Sequence, residues 1–186
     1  MFKTIGACAA GLVLTANMAL AGSLGQAERK DFQVAKDIAT AVQRYSQFTI
    51  FDDVSANVKD GVATLTGKVT MPFKREDIAK RIAKVDGVRS VDDRIAVLPV
   101  SQFDDDLRYR IARSIYNNAN FWSYAVMVNP PIHIVVEHGR VTLTGVVQSE
   151  VDRMLARSLA TQFGALSVTN ALKTDAEMTD ALAKSE

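Results

Sequence analysis

The sequence predicts an α+β protein made of two tandem αββαβ domains, each a three-stranded sheet with two helices on one face. Three observations lead to this prediction. A segment of about 70 residues occurs twice, each copy holds two stretches with apolar residues at helical spacing, and three other stretches alternate apolar with polar residues. The predicted boundaries are 22–99 for domain 1, 100–174 for domain 2 and 175–186 for a C-terminal tail.

The repeat is clearest around a hairpin pattern. The segment VKDGVATLTGKV at 58–69 returns as VEHGRVTLTGVV at 136–147, 78 positions later. Further along, 78–97 matches 155–174 at an offset of 77 positions, so the second copy lacks one residue. A unit of this length is longer than a solenoid repeat, and we therefore interpret the copies as two small domains.

Each copy opens with an amphipathic helix, which the first copy carries at 28–45. In the second copy the run Asp104-Asp105-Asp106 lies where the helix should start, and acidic side chains complement the helix dipole there. A fragment of a calcium-binding loop is the alternative for this run. The predicted apolar stripes are Phe32, Ala35, Ile38, Ala39 and Val42 in copy one and Leu107, Ile111, Ala112 and Ile115 in copy two.

A β-hairpin follows the first helix. Asp60-Gly61 lies between two alternating runs in copy one, which is a strong signal for a two-residue turn. His138-Gly139 occupies the same place in copy two. The predicted inward-facing residues are Val54, Ala56, Val58, Ala63, Leu65 and Val69 in copy one and Ile132, Ile134, Val136, Val141, Leu143 and Val147 in copy two.

A second helix follows each hairpin. Thr70 is the expected cap in copy one and Pro72 suits the first turn, while Ser149 with Asp152 resembles a capping box in copy two. The expected buried positions are Ile78, Ile82 and Val85 in copy one and Val151, Leu155 and Leu159 in copy two, and the glycines expected to end the helices are Gly87 and Gly164.

Third strands at 88–97 and 165–174 complete the two sheets. A sheet that alternates apolar and polar faces buries only one of them, so both helices are expected to pack on that face. The other face carries threonine side chains and is expected to be solvated or used for contact.

The N-terminal residues 1–21 have the pattern of a secretory signal peptide: Lys3, an apolar run and a small-x-small site that ends at Ala21. Cys8 lies inside this segment, so the mature chain is expected to lack cysteine and disulfides. Lipid attachment at Cys8 is rejected, because only four residues precede Ile5 and no apolar region precedes a cleavage point there. We therefore expect a periplasmic protein without an integral membrane span.

Composition and motifs argue against catalysis and against nucleic acid as a partner. Without Lys3 the chain has 21 basic and 21 acidic side chains, so no overall field favours nucleic acid. His133 and His138 are expected to be solvated and are not joined by a ligand set for a metal. The pattern of a nucleophile elbow, a phosphate-binding glycine loop or a zinc protease is not found in the sequence. We expect a protein that is not an enzyme and holds no cofactor.

The segment 117–136 is the first candidate contact surface, and it holds the only tryptophan of the chain. About five residues more than in copy one lie between helix and strand here, and Pro130 and Pro131 stiffen them. The loop is expected either to fold over the core, to seal the contact between the copies, or to project toward a lipid headgroup boundary or a partner. The residues predicted to make membrane or partner contact are Phe121, Trp122, Tyr124 and Met127.

A basic surface on the second helix of copy one is the second candidate. A solvated helix face is the alternative to contact with an anionic bilayer, to which each basic residue contributes on the order of 1 kcal/mol. The residues of this surface are Lys74, Arg75, Lys80, Arg81 and Lys84, with Arg89 beside them.

The glycine–threonine pattern of the hairpin, the Gly-Val turn before the last strand and the pair Asp92-Asp93 together resemble the BON domain, the bacterial osmotic-stress and nodulation module. Copy two departs from it in having Ala165-Leu166 after the glycine. The resemblance implies a non-enzymatic envelope-maintenance protein, associated with stress response and the outer membrane, that binds phospholipid surfaces. The alternative is a soluble osmotic-stress or scaffold protein that binds other envelope proteins. The motif glycines are Gly61, Gly67, Gly87, Gly139, Gly145 and Gly164.

Overall fold

A computed structural model of the chain describes residues 16–183. Residues 1–15 of the predicted signal peptide lie outside the described residues. Helix α1 (Ala16–Gln43) runs across the predicted cleavage point after Ala21. In the part of the chain that is described, none of the helices has the length and apolar character needed to cross a membrane.

Domain 1 has the predicted element order: α1 is followed by β1 (Asp53–Lys59), β2 (Val62–Val69), α2 (Pro72–Ile82) and β3 (Ser90–Val97). Strands β1 and β2 form the antiparallel hairpin, and β3 pairs with β2 in parallel, giving the order β1-β2-β3. Helices α1 and α2 cover the apolar face.

Domain 2 repeats this arrangement with α3 (Gln102–Tyr116), β4 (Ile132–Glu137), β5 (Arg140–Val147) and α5 (Glu150–Ala160). A 3-10 turn (Ala119–Phe121) and helix α4 (Trp122–Ala125) lie in the longer loop after α3. The predicted third strand is split into β6 (Ser167–Asn170) and β7 (Lys173–Thr174), and both pair in parallel with β5. Helix α6 (Asp175–Ala183) forms the described part of the tail.

The break between β6 and β7 arises at Asn170. Its side-chain oxygen accepts a hydrogen bond from the Leu172 amide at 3.3 Å, and its side-chain nitrogen donates to the Arg153 carbonyl at 2.8 Å. This local bond turns the backbone away from the ladder, as short polar side chains often do. Leu172 is thereby directed into the core, where it is buried.

The stripe predicted for the first helix was wrong in part. Val34 and Tyr45 are buried together with Ile38 and Val42, whereas Phe32 is 47% exposed. The buried face of α1 is therefore turned away from the alanines of the predicted stripe. Ala35 and Ala39 instead line a groove at the boundary with domain 2.

The buried positions predicted for the second helix of copy two also need correction. Val151 is 66% exposed and Leu155 and Leu159 are only partly buried, while Ala156 and Ala160 are fully buried. These alanines correspond to the buried Ile78 and Ile82 of α2, 78 positions earlier. The missing residue of copy two thus lies after the helix and not before it.

The two hairpin turns have the predicted conformation. Asp60 and Gly61 have φ angles of 52° and 76°, and His138 and Gly139 have φ angles of 51° and 73°. Two successive positive φ angles define the type I′ turn, whose twist matches that of the flanking strands. Positive φ angles also occur at the remaining motif glycines, Gly67, Gly87, Gly145 and Gly164.

The predicted helix caps have different outcomes. Ser149 caps α5 as predicted, since its hydroxyl accepts from the Asp152 amide. Thr70 does not cap α2, whose N-cap is Met71 without a side-chain bond. The Thr70 hydroxyl is engaged instead by Asp52 and Lys74. Helix α2 ends at Ile82, five positions before Gly87.

An aspartate fastens each hairpin turn to the first helix of its domain. Asp104 is fully buried and accepts hydrogen bonds from the His138 and Gly139 amides, both at 2.8 Å. Asp31 takes the same place in domain 1, 2.7 Å from the Asp60 amide and 3.2 Å from the Gly61 amide. The acidic run was predicted to mark a helix start, which is confirmed, and Asp104 has this second structural role.

Substitution Asp104→Asn is expected to lower the free energy of unfolding by about 1–3 kcal/mol, because one of the two amides then meets an NH2 group and loses its acceptor. The exposed neighbour Asp106 provides the control, since Asp106→Asn should leave stability unchanged within about 0.5 kcal/mol. Urea unfolding of the two variants measures the difference. Equal midpoints would contradict the role of Asp104.

Candidate functional site

The loop between α3 and β4 divides its apolar residues between the core and the surface. Phe121 is fully buried and Tyr124 is 3% exposed, so the prediction that these two contact a membrane or partner is corrected: they belong to the core of domain 2. Trp122 is 69% exposed and Met127 is 46% exposed. Together with Val126 and Val128, which are also exposed, they form what we call the contact loop: Trp122, Val126, Met127 and Val128.

Local helical geometry explains this division. Asn118 caps the 3-10 turn by accepting from the Asn120 amide at 3.0 Å. Phe121 and Tyr124 are three positions apart and therefore share the inner face of the short helical segment, while Trp122 is directed outward. The Tyr124 hydroxyl accepts from the Gln148 amide at 2.8 Å, and burial raises the pKa of this hydroxyl. The contact loop is thus attached to a buried, hydrogen-bonded base.

The loop continues into the boundary between the two domains, which pack together. The Asn129 side chain donates to the Gln43 carbonyl at 3.1 Å, and the Ile134 amide donates to the Ile50 carbonyl at 2.7 Å. Since β4 is an edge strand, this second bond caps an otherwise free edge with a segment of domain 1. An ion pair between Lys68 and Glu137 joins the outer faces of the sheets.

His133 lies in this domain boundary, which corrects the expectation of a solvated histidine. Its Nδ1 is 2.7 Å from the Asp52 carbonyl oxygen, and its ring lies 5.4 Å from that of Phe48. Val135, on the same outer face of β4, is only 6% exposed. His138 is exposed in the hairpin turn, as predicted. The outer face of the domain 2 sheet is therefore covered in part by domain 1.

Asp52 connects the domain boundary to the interior of domain 1. Its carboxylate is fully buried and accepts hydrogen bonds from Thr49, from Thr70 and from the Lys74 ammonium group, the last at 2.6 Å. Burial by itself would raise the pKa of Asp52, but the bonds from Lys74, Thr70 and Thr49 outweigh it and hold this pKa below its ordinary value.

Lys74 is therefore not part of the predicted basic surface, because its side chain is buried and paired with Asp52. The other members of that surface differ in exposure and partners. Arg75 pairs with Asp93 at 2.8 Å and Lys80 with Glu76 at 3.4 Å. The Arg81 guanidinium lies 4.7 Å from the centre of the Tyr45 ring, and Lys84 is exposed.

A groove of about 530 Å³ lies beside the contact loop, between the two domains. Residues of α1 and β1 form one wall, and residues 128–131 and 133 form the other. Within the described range, His, Asp and Glu side chains do not gather in groups of three that could hold a metal ion.

The family model for the BON domain matches residues 30–99 and 104–176, once in each half of the fold. The chain belongs to the BON domain family. Its two BON domains account for the repeat, for the paired hairpin glycines and for the shared αββαβ order.

Among curated proteins, this BON domain protein is similar to the potassium binding protein Kbp of Escherichia coli O6:H1, with 30% identity over 88 residues. That match covers 44% of this chain and 59% of the relative, so the chain spans only part of the relative's length.

Two solved structures of CdsD, a structural protein of the type III secretion system of Chlamydia trachomatis, also match. The C-terminal domain of CdsD has 20% identity and a TM-score of 0.33, covering 80% of this chain and 68% of the other. The second CdsD structure has 15% identity and a TM-score of 0.26, covering 80% of this chain and 96% of the other.

Proposed function

We propose that this BON domain protein is a non-enzymatic envelope protein, exported to the periplasm, that attaches reversibly to anionic phospholipid surfaces through the contact loop. The observation that carries the proposal is the outward position of Trp122, 69% exposed, beside Met127 on a loop whose base is held by the core. Apolar residues exposed in this way are typical of a surface that meets a membrane or a partner, and Trp suits the headgroup boundary.

Electrostatic attraction is a second contribution in this proposal. Lys80, Arg81 and Lys84 remain exposed on domain 1, and each exposed cation near an anionic bilayer contributes on the order of 1 kcal/mol. Raising the salt concentration should weaken this contribution and leave the apolar one in place. Attachment should therefore fall in part, but not completely, between low and high salt.

Titration of the full chain with anionic phosphatidylglycerol vesicles is expected to shift the fluorescence of Trp122 to the blue, because its ring leaves water. This residue is the only tryptophan, so the signal reports on the contact loop alone. Neutral phosphatidylcholine vesicles should give a smaller shift at the same concentration. A spectrum that does not respond to either vesicle would contradict the proposal.

Substitution Trp122→Ser tests the same surface without relying on fluorescence. Vesicle partitioning, followed by flotation, should fall by about tenfold or more when the ring is removed. Phe103 is the matched control, since it is 58% exposed and close to the hairpin turn at Gly139, at the other end of the sheet from the contact loop. Phe103→Ser should float like the wild type; equal loss in both variants would indicate unspecific adhesion.

Binding to another envelope protein is the competing function. In that case Trp122→Ser would leave vesicle partitioning unchanged, and the exposed loop would serve a protein partner.

A further inference from the structure

The groove between the domains has a buried apolar floor and an exposed rim. Ile38 is fully buried and Val42 is 7% exposed, and both belong to the floor. Gln43, Thr49 and Asn129 line the exposed rim. Since Ile38 and Val42 also belong to the core of domain 1, the groove reaches down to the edge of that core and is deeper than a surface depression.

The chemistry of the lining favours an apolar ligand. Most side chains along the walls are alanine, valine, isoleucine, phenylalanine or proline, and Asp53 is the one Asp, Glu, Lys or Arg among the described residues that line the groove. Its volume of about 530 Å³ lies within the range of about 300–1,000 Å³ that is usual for small-molecule sites, which are mostly apolar with a few polar groups.

The groove is also continuous with the contact loop. Val128, 97% exposed, is both the last residue of that loop and a lining residue of the groove. Asn129, Pro130 and Pro131 follow it along the wall. The contact loop and the groove thus share Val128, so the groove begins next to the residues proposed to meet a bilayer.

We infer that the groove between the two domains binds one acyl chain of a lipid. The chain lies along Ala35 and Ala39 of α1, whose small side chains leave the space open, and the polar headgroup stays outside the uncharged rim. This inference rests on the proposed function for its choice of ligand and extends it from attachment to a lipid surface to the binding of single lipid molecules.

Binding is tested with cis-parinaric acid, a fluorescent fatty acid, added to the full chain without vesicles and below the concentration at which it forms micelles. The wild type should bind one molecule with saturation. Ala39→Phe places a ring in the groove and should weaken binding by about tenfold or more. Lys36→Phe adds the same ring to an exposed position of α1 outside the groove and should bind like the wild type.

Val128→Asp is a second variant that leaves the core untouched, because this side chain is almost fully exposed. A carboxylate at the rim should weaken the binding of the anionic probe. Absence of saturable binding in the wild type, or equal binding by wild type and Ala39→Phe, would overturn the inference.

The two proposals fail separately. If Ala39→Phe loses the probe while Trp122→Ser keeps it, the groove is the acyl site whether or not the contact loop binds vesicles. If vesicles still shift the Trp122 fluorescence but neither the wild type nor any variant binds cis-parinaric acid, surface attachment stands and the acyl site is rejected.

Discussion

Gly145→Ala is expected to prevent stable folding of domain 2. A Cβ atom at this position would lie 1.8 Å from the Pro131 carbonyl oxygen and 3.0 Å from its carbon, and the φ angle of 112° lies in a region that L side chains rarely adopt. Because the obstacle is backbone, rotation of a side chain cannot relieve the clash. We expect a loss of about 3–5 kcal/mol in the free energy of unfolding, from backbone strain and overpacking together.

The repeat provides an independent second test of this effect. Gly67 holds the same place in domain 1, with a φ angle of 121° and a Cβ position 2.1 Å from the Asp53 carbonyl oxygen. Gly67→Ala should therefore be nearly as damaging. In both domains the backbone of the first hairpin strand lies where a Cβ atom would be, so this position of the hairpin pattern requires glycine.

Gly164→Ala is the control that separates strain from collision. Its φ angle of 77° is also positive, but a Cβ atom there would meet nothing within 4 Å. The expected loss is only about 1–2 kcal/mol, the cost of a left-handed backbone for an L residue. Thermal and urea unfolding of the three variants gives the comparison; a loss for Gly145→Ala no larger than for Gly164→Ala would contradict the clash.

Much of the fold could be predicted from the sequence because its determinants are local and occur twice. Alternation of apolar residues predicted the strands, and Asp60-Gly61 and His138-Gly139 predicted two turns whose φ angles confirm them. The repeat also contains a signal for the contacts of these turns. Aligning the first helices places Asp31 on Asp104, and the two carboxylates do bind equivalent turns.

The buried face of a helix was predicted less well where the buried side chains are small and larger apolar side chains are exposed. In α5 the core side is formed by Ala156 and Ala160, whereas the larger Val151 and Met154 are exposed. The predicted face was therefore wrong only in part: Leu155 and Leu159 pack against the core, but Val151 is exposed and the two small alanines were missed. The same holds in the loop after α3, where Phe121 is core and Trp122 is surface although the two are adjacent.

The domain boundary could not be predicted because its contacts are specific to one copy. Asp52 corresponds in position to Pro130, so the repeat carries no signal for it. In domain 2 the Tyr124 hydroxyl replaces one contact of Asp52. It accepts a hydrogen bond from the Gln148 amide, as the Asp52 carboxylate accepts one from the Thr70 amide. Two chemically different groups thus fasten the same junction of strand and helix.

Removal of either partner of the buried Asp52–Lys74 pair is expected to destabilise domain 1 strongly. The Asp52 carboxylate accepts hydrogen bonds from Thr49, Thr70 and Lys74. The backbone carbonyl oxygen of the same residue contacts His133 of domain 2. Lys74→Met leaves a buried carboxylate without its cation, and Asp52→Asn leaves a buried cation without its carboxylate. Each should cost about 3–5 kcal/mol in the free energy of unfolding.

The double variant should cost less than the sum of the two single variants, because neither charge is then left alone in the interior. Lys80→Met is the matched control: it lies on the same helix and its partner Glu76 is equally exposed, so its loss should stay below about 1 kcal/mol. If Lys74→Met and Lys80→Met lose the same amount, the buried pair does not stabilise the domain.

The pair also predicts how stability depends on pH. The pKa of Asp52 in the folded protein is lowered from 3.8, so the unfolded chain takes up a proton first as the pH falls. The stabilisation by Asp52 is therefore complete only above about pH 5, and it is lost progressively as the pH falls through 3.8 toward the lower folded pKa. In Lys74→Met the effect of burial, which raises the folded pKa of Asp52, is less strongly opposed, so this pKa is shifted toward or above 3.8 and the loss of stability on acidification should be smaller than in the wild type. Urea unfolding between pH 2 and pH 6 measures this shift, and Asp52→Asn, which cannot titrate there, should lack this part of the pH dependence.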